Sequence, residues 1–235
     1  MKSNIIIRIF IMLGLYFGIR YFGGDIGKKV LYPIQMLATF LHEFGHAVGA
    51  LITGGEVRNI QINQDGSGFT RTVGGSRQVI LMGGYLGSAL FGNLIFLIGA
   101  RAKVLVKPLL LLLALIMAFT GVFWFNSLFT TALLFGFAFI LTGIALKTNF
   151  AREVLMFLGL STLLFIIQDF NVGPTSDLEK YAEEMKIFPA DVWMYIWLVV
   201  VVVLFLLNLR ILFKSLRDDD PMLSSVGEDE FLNIN

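Results

Sequence analysis

The stretch Val104-Leu105-Val106-Lys107-Pro108-Leu109-Leu110-Leu111-Leu112-Leu113-Ala114-Leu115-Ile116-Met117-Ala118-Phe119 continues to Leu146 with Lys107 as its only charge. A membrane-crossing helix takes about 20 apolar residues. This run is therefore long enough for two crossings, and it divides best at 121–126, where Gly121 and Asn126 interrupt it. Working outward from there gives apolar spans at roughly 104–121 and 127–146, then 78–100 before them and 150–170 and 192–213 after them. Two more lie toward the N-terminus, at roughly 30–53 and 4–22. The sequence predicts an all-α polytopic membrane protein with six to seven transmembrane helices. The count turns on the first span: Lys2 before an apolar run resembles a signal peptide, but no Ala-x-Ala-like site follows, which favours a retained helix.

Composition agrees. Of 235 residues, 57% are hydrophobic and 15% charged, against roughly 45–50% and about 25% in soluble domains. That excludes an ordinary soluble globule and intrinsic disorder. A net charge of +1 leaves no electrostatic footprint for nucleic acid. The absence of cysteine excludes disulfides, thiolate metal sites and a cysteine nucleophile. Sorting Lys and Arg between the spans puts eleven on the side of the C-terminus and seven on the other. That bias favours a cytoplasmic C-terminus.

Three segments fall outside the spans. Residues 54–77 alternate weakly around Asn63-Gln64-Asp65-Gly66-Ser67-Gly68 and read as a short β-hairpin with a Gly-rich turn. Residues 171–191 form a second loop holding one short helix. The acidic tail, 218–235, is expected to be disordered and solvated.

The chain has two histidines, both in His42-Glu43-Phe44-Gly45-His46. Residues i and i+4 lie on one helical face, so both imidazoles reach one metal ion. The H-E-x-x-H spacing places Glu43 at the edge of that face, as the general base of a metal-assisted hydrolysis. The motif lies in an apolar span, where an ionisable side chain costs at least about 3 kcal/mol. A group that costly needs a partner or a function.

A catalytic zinc takes three protein ligands and leaves a fourth position open. With no third histidine and no cysteine, the third ligand is a carboxylate. Glu56 and Asp65 lie in the hairpin, and Asp177, Glu179, Glu183, Glu184 and Asp191 lie in the second loop. Glu153 opens its span at the wrong end. Asp169 closes that span. If spans two and six cross in the same direction, a rise of 1.5 Å per residue puts His46 about 24 Å and Asp169 about 28 Å along their helices. Depth therefore favours Asp169, with Asp177 as the alternative.

At these residues the sequence resembles the site-2 protease family of zinc intramembrane metallopeptidases, in a compact bacterial-type branch without a PDZ domain. The resemblance is carried by Phe40-Leu41-His42-Glu43-Phe44-Gly45-His46-Ala47 and Thr53-Gly54-Gly55. It continues through the Asp65-Gly66-Ser67-Gly68-Phe69-Thr70 turn, Gly74-Gly75-Ser76-Arg77 and Gly83-Gly84-Tyr85-Leu86-Gly87-Ser88, and then Gln168-Asp169 and Ser176-Asp177. It implies one Zn2+ per chain on His42, His46 and Asp169, with Glu43 as base. It also implies a membrane-embedded polypeptide as substrate and a bacterial-type plasma membrane as location. Asn93 or Asn126 is a candidate oxyanion donor, and the hairpin a candidate edge for pairing an extended substrate. Two alternatives stand beside this one. A metal transporter would use the same residues as a transit site. A non-catalytic scaffold of the same ancestry is suggested by Phe170 following Asp169, where better-known members have Asp-Gly.

Overall fold

The computed structural model describes residues 3–170, 172–174 and 176–218. The acidic tail beyond Asp218 lies outside the described residues. The chain runs α1 (Ser3–Phe22), α2 (Gly24–Ile52), β1 (Glu56–Ile62), β2 (Gly68–Val73) and α3 (Arg77–Met82). A π-helical turn (Gly83–Gly87) joins α3 to α4 (Ser88–Arg101), so the three form one rod. Then come α5 (Val106–Phe123), α6 (Leu128–Lys147), α7 (Ala151–Asp169), α8 (Asp177–Met185) and α9 (Ala190–Asp218). This is the expected helical membrane architecture with its two-stranded hairpin. Among the described residues, six helices are long and apolar enough to cross a membrane: α1, the α3–α4 rod, α5, α6, α7 and α9.

The long helix α2 is not one of the six, and the contacts between helices show why the expected crossing at 30–53 differs. Arg8 of α1 meets Glu153 at the start of α7, and Arg20 Nε donates to Gln168 Oε1 at the end of α7 (3.3 Å). So α1 and α7 run parallel. The α3–α4 rod runs antiparallel to α7, with Gly92 against Leu163 and Gly99 against Met156. The end of α1 and the start of α3 therefore lie at the same end of the bundle. The C-terminal part of α2 itself lies beside the start of α3, with Gly49 against Val79 and Thr53 Oγ1 accepting from Ser76 N, so α2 and the hairpin begin and end at that one end and make no net crossing. Arg20, Lys28 and Lys29 accordingly join the hairpin's end, which removes the charge bias read from the sequence.

The core is built where glycine lets backbones meet. A Cβ on Gly159 would lie 2.4 Å from Phe96 N, and one on Gly92 would lie 3.0 Å from Leu163 Cγ. These small positions allow the close helix contact that drives association in lipid. Met36, Leu37, Phe40 and Leu41 of α2 belong to one buried cluster that extends through Ile95, Leu110, Leu134 and Leu155 of the other helices.

The hairpin packs down the length of α2. Its strands pair antiparallel from Glu56↔Val73 to Ile62↔Gly68, with an irregularity between Val57 and Asn59. The turn is closed by Asn63 N donating to Ser67 O (2.8 Å) and by Ser67 N and Oγ donating to Asp65 Oδ1 (2.9 and 2.7 Å). Those two bonds hold the exposed Asp65 carboxyl below the usual carboxylate range. Gly66 takes φ +93, a conformation that favours glycine. Tyr32 Oη and Thr39 Oγ1 donate to the carbonyls of Gln64 (2.8 Å) and Gly66 (2.7 Å), so α2 grips the tip. The outer edge of β1 is capped from the α5–α6 turn, where Ile60 N donates to Trp124 O and Ile62 N to Thr130 Oγ1 (3.1 and 3.0 Å).

Candidate metal centre

Both histidines of α2 point to one place, as their i,i+4 spacing requires. His42 Nε2 and His46 Nε2 lie 3.1 Å apart. Asp177 Oδ2 is 2.9 Å from the first and 3.0 Å from the second. Among the described residues, these three side chains are the group able to hold a metal ion.

The structure thus brings Asp177, not Asp169, to the imidazoles. The reason lies in the connection after α7. Ser176 is the N-cap of α8 and its hydroxyl accepts from Glu179 N (3.2 Å). That starts a new helix with Asp177 in its first turn. Leu178 and Tyr181 then join a cluster with Leu81, Tyr85 and Trp197, docking α8 against α3 and α9. The helix ends at Lys186, with φ 55. Asp169 remains in the cavity wall, and its backbone carbonyl accepts from Tyr85 Oη (3.2 Å). The depth argument that favoured it assumed a crossing by α2 that these contacts do not support, and it ignored a loop able to fold back.

The donor set suits a zinc ion. His46 Nδ1 donates to the Ile80 carbonyl (2.6 Å). A carbonyl only accepts, so Nδ1 carries a proton; Nε2, which faces Asp177, donates to it when protonated and offers its lone pair to a metal ion when not. Three acceptors that close require a cation or a proton among them. Tetrahedral ligands at about 2.0–2.1 Å from zinc stand about 3.3 Å from one another, close to the separations seen here. Burial pushes the Asp177 carboxyl up, and hydrogen bonds from His42 and His46 outweigh it, leaving the group below the usual carboxylate range.

Glu43 is buried beside the pair, 4% exposed. Thr70 Oγ1 donates to its Oε2 (2.8 Å) and also lies 2.9 Å from its backbone carbonyl. A Cβ on Gly68 would lie 2.7 Å from Oε1, so β2 roofs the carboxylate closely. Glu43, His42 and Asp177 open on a cavity of about 400 Å3, with Gln35, Gly68 and Asp169 in its walls.

The π-turn brings backbone directly against the imidazoles. A Cβ on Gly84 would lie 2.5 Å from His46 Cε1 and 2.6 Å from His42 Nε2. Gly83 meets Gly45 backbone to backbone across the same contact. The signal was present in Gly83-Gly84 following an H-E-x-x-H helix, but small residues in a membrane helix serve packing equally well. Thr70 had no signal beyond its place in the turn. The two asparagines read as oxyanion donors are engaged elsewhere: Asn208 Nδ2 donates to Asn93 Oδ1 (2.6 Å), and Asn126 pairs with Gln61.

With six helices long and apolar enough to cross a bilayer among the described residues, the fold is that of a multi-pass membrane protein. A family model described as Peptidase M50B-like matches residues 9–208, and the chain belongs to that family, the site-2 protease family. No curated protein and no solved structure matches it.

Proposed function

We propose that the protein is a zinc-dependent intramembrane endopeptidase, with His42, His46 and Asp177 as the metal ligands and Glu43 as the general base. The observation that carries this reading is the meeting of two imidazole nitrogens and one carboxylate oxygen beside a buried glutamate. Zinc held there supplies a Lewis acid that makes water nucleophilic near neutral pH. Ile80 holds His46 in the ligating tautomer through Nδ1. Thr70 fixes Glu43 Oε2, leaving Oε1 to take a proton from water and return it to the leaving amine. The substrate is a membrane-embedded or membrane-associated polypeptide. Helical peptide bonds are shielded by their own hydrogen bonds, so the substrate must be extended before it is cut. The outer edge of β2, beside Glu43, is the place where an unwound segment would pair as an added strand.

Reconstituted protein and a candidate membrane substrate test this. Glu43→Gln is expected to lower cleavage by about 10²–10⁴-fold while leaving the zinc content unchanged. Cleavage at the wild-type rate by Glu43→Gln would refute the mechanism.

A further inference from the structure

A second cavity of about 480 Å3 adjoins the first at the end of the bundle where α1 gives way to α2. Arg20, Lys28 and Lys29 line it, and Gln35, Phe165 and Asp169 belong to both cavities. Three cations thus face a single carboxylate. Their existing partners satisfy them poorly. Among the described residues, Arg20 makes no ion pair and its Nε donates to the neutral Gln168. Lys28 pairs with Asp25 at 3.0 Å, but the two side chains are 72% and 88% exposed, where such a pair contributes little. Lys29 makes no ion pair among the described residues.

The surroundings select the ligand. Phe22, Ile26 and Val30 stand exposed beside the cations. Apolar side chains turned outward next to Lys and Arg, at the end of a membrane-crossing helix, form the pattern of an interfacial segment. Free phosphate or an acidic peptide has no use for the apolar border; a phospholipid uses both parts. We infer that this cavity seats the phosphate of an anionic phospholipid headgroup, cradled by Arg20, Lys28 and Lys29, with the acyl chains along Phe22, Ile26 and Val30. Tyr32, in the same wall, donates to Gln64 O at the hairpin tip. The seated headgroup therefore stands against the residues that hold the hairpin over the catalytic cavity.

Native mass spectrometry of the detergent-solubilised full chain tests this without any cleavage assay and without reference to the metal. The probes are phosphatidylglycerol, phosphatidylcholine and inorganic phosphate. The chain is expected to retain phosphatidylglycerol in preference to phosphatidylcholine. Each interfacial cation contributes about fivefold, so Arg20→Gln/Lys28→Gln/Lys29→Gln is expected to weaken retention on the order of 100-fold. All three positions are exposed, and Lys28→Gln/Lys29→Gln, which leaves the Arg20 contact intact, should lose a smaller share. Arg101→Gln/Lys103→Gln/Lys107→Gln, at the other end of the bundle, should retain the lipid as wild type does. Equal retention of the two lipids would overturn the inference. So would undiminished retention by the triple variant, or displacement of phosphatidylglycerol by millimolar inorganic phosphate.

Discussion

The two walls of the catalytic cavity are built differently. One is α2 with the hairpin laid along it, joined by Tyr32–Gln64, Thr39–Gly66 and Thr70–Glu43 and braced behind by His46–Ile80. It carries both imidazoles and the glutamate. The other is the nine-residue helix α8, which carries Asp177 in its first turn. Its attachments are Leu178 and Tyr181 in a small aromatic cluster, together with exposed pairs from Arg77 and Gln78 to Glu184. The first wall is held by bonds within the membrane domain. The second is held by one helix cap and one patch of packing, so the weaker wall completes the ligand set. Loading the site with metal is therefore expected to stabilise α8 more than α2, because binding free energy becomes local folding free energy where order is marginal.

Three substitutions probe this difference. The largest effect is expected from Gly84→Ala, because its Cβ would meet both imidazoles of the braced wall. Overpacking of this kind costs about 1–3 kcal/mol. Zinc retention against a chelator should fall and the unfolding temperature should drop; a variant unchanged in both would show that the first wall is softer than its bonds suggest. Next comes Ser176→Ala, which removes the cap of α8 and costs about 1 kcal/mol. Zinc affinity should fall about fivefold, with hydrogen exchange accelerated in α8 and not in α2, and Ser176→Asp should restore both. The smallest effect is expected from Arg77→Ala, whose partner pair is 61% and 34% exposed. A change within about 0.5 kcal/mol is expected, and a larger loss of metal would mean that the exposed tether, rather than Tyr181 and Leu178, holds the second wall.

The same difference governs how much could be read in advance. His42, Glu43 and His46 lie within five consecutive residues of one helix, so their meeting follows from helix geometry alone. The crossings at α5 and α6 and the turn around Gly66 are likewise local patterns, of apolar length and turn chemistry. Asp177 is brought to His42 across 135 residues of separation by a fold-back after α7. Nothing periodic announces that, and Asp169 sat at a plausible depth. The course of α2 was hidden for a related reason. Apolar length measures whether a helix can cross, whereas the direction of α2 is decided by Arg8–Glu153, Arg20–Gln168 and the glycine contacts between α4 and α7.

The proposed function stands on zinc binding by the cluster of His42, His46 and Asp177. It is tested most directly by the metal content of the detergent-purified protein, wild type beside Asp177→Ala and Asp169→Ala. About one zinc per chain is expected in the wild type, lost in Asp177→Ala and kept in Asp169→Ala. Zinc kept in Asp177→Ala and lost in Asp169→Ala, or a wild type that binds no zinc when supplied with it, would rule this ligand set out.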